Sequence, residues 1–201
     1  MKLKNKAFTL TELLIALGII GTIAAISVPS LVSNINNRIL TTQLKNITSS
    51  IQELATSQML SHRVKSLEDT DFINPGKLLS INNFETIGNC SNNNCWGEEY
   101  TSIADNNAKM TFGGGVQLKN GGSIQYTTIN STKNTGDEVM GKFTIDVNGA
   151  DHPNKVGRDL FEVNITYNGK LIGTGNDVNC KNGSGLACYN TILENGWKME
   201  Y

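Results

Sequence analysis

Histidine is nearly missing from this chain: His62 and His152 are the only two among 201 residues. That excludes a multi-histidine metal enzyme, and any acid–base catalysis would have to lean on other groups. Charged side chains make up only 17%, too few for a charge-driven disordered chain. The net charge is −1, so nucleic-acid binding through bulk positive charge is excluded too. The length suffices for one ordinary domain plus an extra element, and is too short for two full enzymatic domains. The most telling absence is local. Residues 13–37 carry no charged side chain at all, whereas beyond Arg38 the chain is polar and rich in Asn, Gly, Ser and Thr. One end has the composition of a membrane segment and the rest that of a domain exposed to water.

Lys2, Lys4 and Lys6 precede the apolar run without a balancing carboxylate. The positive-inside rule keeps that end in the cytoplasm. The apolar stretch over 8–28 covers roughly 20 residues, about 30 Å of helix, which is enough to cross a bilayer. A cleaved secretory signal is one reading, with 25–27 (Ala-Ile-Ser) as the small-x-small cleavage site. An uncleaved single-pass anchor is another. Both leave Glu12 unexplained. A carboxylate at the edge of an apolar span costs about 2–3 kcal/mol or more if it enters the hydrocarbon, so it calls for a partner.

The segment Lys6-Ala7-Phe8-Thr9-Leu10-Thr11-Glu12-Leu13-Leu14 resembles the N-terminal cleavage and methylation motif of type IV pilins and type II secretion pseudopilins. The family usually has glycine where Ala7 stands and an apolar residue where Thr11 stands. The resemblance implies that a prepilin peptidase cuts between Ala7 and Phe8 and that the new Phe8 amine is N-methylated. It also places Pro29 where the family often has a helix-softening proline. After such a cut Glu12 lies one helical turn from the Phe8 amine, at the same end of the helix. In an assembled bundle Glu12 of one subunit can pair with the Phe8 amine of a neighbour, which favours assembly and fixes its register.

Apolar residues continue at Leu31, Ile35, Ile39, Leu40, Leu44, Ile47, Ile51 and Leu54, spaced mostly by three or four. This is a helical stripe, and it predicts one helix over about 9–61, roughly 80 Å long. Its first half requires a membrane or a helical bundle, while its second half can pack under a head. Pro29 is expected to weaken the helix locally. The resulting divisions are a leader over 1–7, a transmembrane or filament-core helix over 8–29, its amphipathic continuation over 30–61, and an exported head over 62–201. Within the head, β-like runs fall at 110–118, 123–129, 139–147, 160–167 and 170–172, with hairpin signals at Asn120-Gly121 and Asn168-Gly169. The expected fold is α+β and pilin-like: an antiparallel sheet of four or five strands laid across the distal half of a long helix. Residues 69–107 read as an irregular connection with a short helix, and the Asn-rich stretch 82–94 as loop.

Cys90, Cys95, Cys180 and Cys188 all lie in the segment expected outside the cytoplasm, where disulfides persist. Four cysteines allow three connectivities. The local pairing, 90 with 95 and 180 with 188, closes short flexible loops and is favoured. A zinc site is the alternative, although these spacings are not those of zinc ribbons. A catalytic thiol would lack a neighbouring histidine motif. The second pair also resembles the C-terminal disulfide loop of many pilins.

The stretch 143–161 is the most distinctive in the head and resembles a segment of secretion-type pilin-like heads. Asp146, Asn148, Asp151 and Asp159 are candidate oxygen ligands for calcium. The spacing is not that of an EF-hand, since the fifth position from Asp146 is Ala150 and the twelfth is Gly157. The competing reading is a polar loop whose Asp and Asn side chains cap turns through their own backbone. Trp197 and Tyr201 at the end of the chain are expected to close the head's core.

The resemblance implies a non-enzymatic structural subunit of a type IV pilus or a type II secretion pseudopilus, with no resident cofactor apart from the candidate calcium. The implied partners are other pilin or pseudopilin subunits, the prepilin peptidase and methyltransferase, an inner-membrane assembly platform and, before assembly, the lipid bilayer. The implied location is a bacterial inner membrane, crossed once with the N-terminus cytoplasmic, and then a periplasmic or extracellular filament. Removing the leader takes three of the 17 basic side chains, so 14 remain against 18 acidic ones, a net charge of −4. That balance argues against DNA uptake by charge attraction. Two other classes compete: a secreted soluble binding domain with an ordinary signal peptide, and an envelope-anchored cysteine-dependent enzyme, which would need a reactive free thiol.

Overall fold

A computed structural model describes residues 9–80, 84–90, 95–103, 109–129, 138–174, 180, 185 and 188–201. The first element, α1 (Leu10–His62), is one helix of 53 residues. Thr9 opens it. Its Oγ1 accepts from the Glu12 N–H at 3.2 Å, and Glu12 Oε2 accepts from the Thr9 N–H at 2.8 Å, a reciprocal capping box. Hydroxyls inside the apolar stretch turn back on the helix: Thr22 Oγ1 donates to the Ile19 carbonyl at 2.9 Å and Ser27 Oγ to the Ile23 carbonyl at 2.7 Å. The helix continues through Pro29. One missing N–H does not interrupt a run whose neighbouring turns keep their own bonds. At the other end Arg63 adopts φ 56°, the Val64 N–H reaches the Met59 carbonyl at 3.0 Å and the Arg63 N–H the Leu60 carbonyl at 3.2 Å. This is a Schellman-type stop built on a residue other than glycine.

The chain divides into two units, Met1–Asn37 and Arg38–Tyr201. In the first, every large apolar side chain at positions 10–35 is between 47% and 79% exposed. Among the described residues α1 is the one helix long and apolar enough to cross a membrane, with a mean hydropathy of 2.2 over its most apolar window. In the second unit the helical stripe is buried at Leu40, Leu44, Ile47, Ile51 and Ala55. Burial of the predicted stripe therefore begins at Leu40; Leu31, Ile35 and Ile39 are exposed.

After α1 come two single 3₁₀ turns, Leu67–Asp69 and Asp71–Ile73, and a short helix α2 (Pro75–Leu78) capped by Asn74 Oδ1 on the Lys77 N–H at 3.2 Å. The strands are β1 (Thr86–Asn89), β2 (Tyr100–Ser102), β3 (Lys109–Met110), β4 (Val116–Leu118), β5 (Ser123–Thr128), β6 (Val139–Asp146), β7 (Lys155–Val156), β8 (Leu160–Thr166) and β9 (Leu171–Gly173). A last helix, α3, spans Cys188–Glu194. The described strands form one sheet in the order β1-β4-β5-β6-β8-β7-β2-β3, with β9 also on β8.

This corrects the expected antiparallel sheet of four or five strands. β2 with β7 and β7 with β8 are parallel, so the sheet is mixed. The extra strands are two to four residues long, too short for an alternating pattern to register. The predicted run over 110–118 is broken, because 111–115 (Thr-Phe-Gly-Gly-Gly) separates β3 from β4. β1 lies inside the stretch expected to be loop, and residues 82–83 and 91–94 of that stretch fall outside the described ones. The two hairpins form where expected: Gly121 at φ 92° joins β4 to β5, and Gly169 at φ 82° joins β8 to β9.

The central ladder is antiparallel, with Tyr126 opposite Phe143 and Phe143 opposite Val163. Leu44, Ile47 and Ile51 belong to the same buried cluster as Phe143, Ile145, Val163 and Ile165. Phe72, Tyr126 and Phe143 pack edge-on or tilted at centroid distances of 4.6 to 6.4 Å. A second, smaller core gathers Cys90, Cys95, Trp96, Tyr100, Val156 and Leu160, with Met110 and Phe112 against it. The chain end closes the main core: Trp197 meets Tyr189 edge-on at 6.2 Å, Lys45 Nζ sits 5.6 Å from the Trp197 ring, and Tyr201 Oη donates to the Gly157 carbonyl at 2.5 Å.

Candidate processing and assembly site

Ala7 and Phe8, the expected cleavage pair, lie outside the described residues. Glu12 is in the first turn of α1, exposed, and its carboxylate is held by Thr9 through both the N–H and the hydroxyl at 2.8 Å. Thr9 is the residue that the sequence reading passed over, although Thr9-x-x-Glu12 followed by an apolar run is itself the signature of a capping box. The arrangement gives Glu12 a partner within its own chain and keeps the carboxylate at the helix N-terminus, where the macrodipole favours negative charge. Beyond it, the exposed apolar surface over 10–35 presents no buried face and no ionisable side chain from Leu13 to Asn37. Chemically this is a surface for lipid or for other apolar helices.

The cysteines pair locally. Cys90 and Cys95 are bridged with a Cα–Cα distance of 5.3 Å, and Cys180 and Cys188 with one of 4.6 Å. Among the described residues no cysteine is free.

The four oxygen-ligand candidates are not equivalent. Asp146 ends β6 and Asp159 immediately precedes β8; both are fully buried. Asn148 is half-buried and Asp151 exposed. Asp146 Oδ1 accepts from the Asn148 and Gly149 N–H groups at 3.1 and 2.9 Å, and its Oδ2 accepts from the Tyr100 hydroxyl. Asp159 Oδ1 accepts from the Lys155 N–H at 2.6 Å. Asn148 Nδ2 donates to the Asp151 and His152 carbonyls at 2.7 and 3.1 Å. The turn over 146–159 is thus fastened by its own side chains, as the competing reading expected. Asp159 Oδ2, Asn148 Oδ1 and Asn154 Oδ1 are buried without a hydrogen-bond partner. Among the described residues no group of three or more His, Cys, Asp or Glu side chains gathers in a metal-holding arrangement.

Burial pushes the Asp146 carboxyl up to about 8, helped by the negative charge of Asp159 and opposed by the hydrogen bond from Tyr100. Burial likewise pushes Asp159 up to about 6 against its backbone N–H donors. The Tyr100 hydroxyl is raised by burial and then by the charge of Asp146. Tyr100 and its neighbour Gly97 were not legible as partners of this loop. Tyr100 lies 46 residues away in sequence, and a Cβ on Gly97 would fall 2.5 Å from the Asn154 side chain.

Residues 2–28 match the prokaryotic N-terminal methylation motif, the signature of type IV pilin and pseudopilin precursors. That motif marks processing by a prepilin peptidase and assembly with other pilin subunits, and its family is one of structural subunits and not of enzymes. Together with the long apolar helix it fits a precursor anchored in the inner membrane. No curated protein and no solved structure matches the chain.

Proposed function

We propose that this chain is a filament-forming pilin-type subunit, cut between Ala7 and Phe8, N-methylated on Phe8 and polymerised through the helix that follows. The supporting observation is the conjunction of the methylation motif over 2–28 with a helix whose apolar side chains at 10–35 are all exposed. Such a surface is stable only in lipid or against like helices. Residues 8–29 form the transmembrane or filament-core segment, 30–61 its continuation, and 62–201 the exported head. Of the two systems, we favour the secretion pseudopilus, on the resemblance of the 143–161 stretch.

In the isolated subunit Glu12 is satisfied by Thr9. In the filament the Phe8 amine of a neighbour takes over that carboxylate, exchanging a neutral donor for a charged one and setting the axial register between subunits. Glu12→Ala subunits expressed beside the native chain test this pairing. The proposal expects them to stay in the membrane fraction and to drop out of the sheared filament fraction. Incorporation at the native level would remove the pairing.

A further inference from the structure

The two disulfides sit in different kinds of surroundings. Cys180 and Cys188 belong to the main core, together with strands of six to eight residues that carry long antiparallel ladders. Cys90 and Cys95 belong to the second core, which reaches the long strands only through Leu160 at the start of β8; its other strands are β2 (three residues), β3 (two) and β7 (two). Strands that short contribute few ladder bonds, so side-chain packing and chain closure must hold the cluster.

The contacts radiate from the bridge. The Cys90 N–H donates to the Gly115 carbonyl at 2.9 Å, Ser123 Oγ to the Cys95 carbonyl at 2.5 Å and Trp96 Nε1 to the Gly114 carbonyl at 2.8 Å. Phe112 packs against both Trp96 and Tyr100, at 6.0 and 5.4 Å. Tyr100 then accepts from the Gly97 N–H at 2.8 Å and donates to Asp146, the residue that fastens the turn over 146–159.

We propose that the Cys90–Cys95 bond is a redox latch for the second core: the cluster of Trp96, Tyr100 and Phe112, and with it the Asp146 turn, closes only after these two thiols are oxidised. In the reduced chain the segment carrying Trp96 and Tyr100 opens locally while the main core stands. Oxidation proceeds by thiol–disulfide exchange. One cysteine thiolate attacks the disulfide of a small-molecule or protein donor, giving a mixed disulfide and releasing one donor thiol. The second cysteine thiolate then displaces the other donor thiol and forms the Cys90–Cys95 bond. Two protons leave the cysteines and two electrons pass to the donor. Closure then buries the product, leaving Cys90 and Cys95 only 3% and 5% exposed, which shields the bond from later reduction. The proposed export of the head says where oxidation takes place; the latch itself is tested without it.

The test is hydrogen exchange on the full chain in detergent micelles, comparing the oxidised protein, the Cys90→Ser/Cys95→Ser variant, the Cys180→Ser/Cys188→Ser variant, and the native sequence held in excess reductant from synthesis onward. The latch predicts exchange at least about tenfold faster at 95–103, 109–112 and 147–158 in the first variant, with β5, β6, β8 and residues 40–55 unchanged, and the same acceleration at those segments in the reduced chain, where Cys180–Cys188 is open as well. It predicts that the second variant does not reproduce this pattern. Native protection at 95–103 without the bond would overturn it, and so would loss of protection throughout the head in the Cys90→Ser/Cys95→Ser variant, which would make the bond a global staple. Failure of filament assembly bears on the function proposed above and leaves this readout intact.

Discussion

Residues 10–37 and 38–62 belong to one helix, yet they bury their side chains differently. The first stretch is apolar and presents its side chains outward all round; the second is amphipathic and hides one stripe. Leucine shows the difference most plainly: Leu17 is 58% exposed and Leu44 is fully buried. An identical side chain in identical secondary structure is therefore left exposed by its own chain in one place and packs into the head's core in the other.

The sharpest way to break that comparison is to truncate both leucines. Leu44→Ala should destabilise the head by about 2–5 kcal/mol, whereas Leu17→Ala should leave its unfolding transition where it was. Denaturant melts of both variants in micelles would show this, and equal losses would erase the distinction between the two stretches. Conversely, Leu17→Arg should cost membrane insertion by roughly 3 kcal/mol while sparing the head, as carbonate extraction of membranes beside a thermal melt would reveal.

A third prediction sharpens the comparison from the head's side, through its buried charge. The folded carboxyls of Asp146 and Asp159 are raised to about 8 and about 6, above their unfolded values. The folded state therefore keeps protons that the unfolded chain gives up. The associated stability is complete below about pH 4 and is lost as pH rises through 6 and then 8. Melting temperatures of the native chain should fall relative to Asp146→Asn between pH 5 and 8.5, and parallel curves would contradict the assignment. In the same assay saturating calcium should leave the native melting temperature unchanged. A rise would show that the head takes a cation, with Asp159 Oδ2, Asn148 Oδ1 and Asn154 Oδ1, which lack partners, as the candidate ligands. The smallest effect is expected at the helix stop, where Arg63 holds a left-handed φ of 56°. Arg63→Gly should stabilise the head by about 1 kcal/mol, detectable as a small upward shift in the denaturant midpoint.

What could be read from the sequence follows from range. The long helix was legible because its signals repeat: an uncharged run, then a stripe at Leu40, Leu44, Ile47 and Ile51. The hairpins at Gly121 and Gly169 were legible because a turn is decided by adjacent residues. β2, β3 and β7 were not, since strands of two or three residues carry no period and the parallel pairing of β2 with β7 joins distant chain segments. The partnership of Tyr100 with Asp146 is of the same kind, as nothing near either residue announces the other. Thr9 is different. Its capping role is readable from Thr9-x-x-Glu12, because both partners lie within one turn of helix.

The N-terminus of the native protein tests the central claim most directly. Intact-mass and fragment analysis of subunits recovered from membranes should find chains beginning with N-methyl-Phe8. A chain beginning near residue 28, or one that assembles with its first seven residues still attached, would contradict the account.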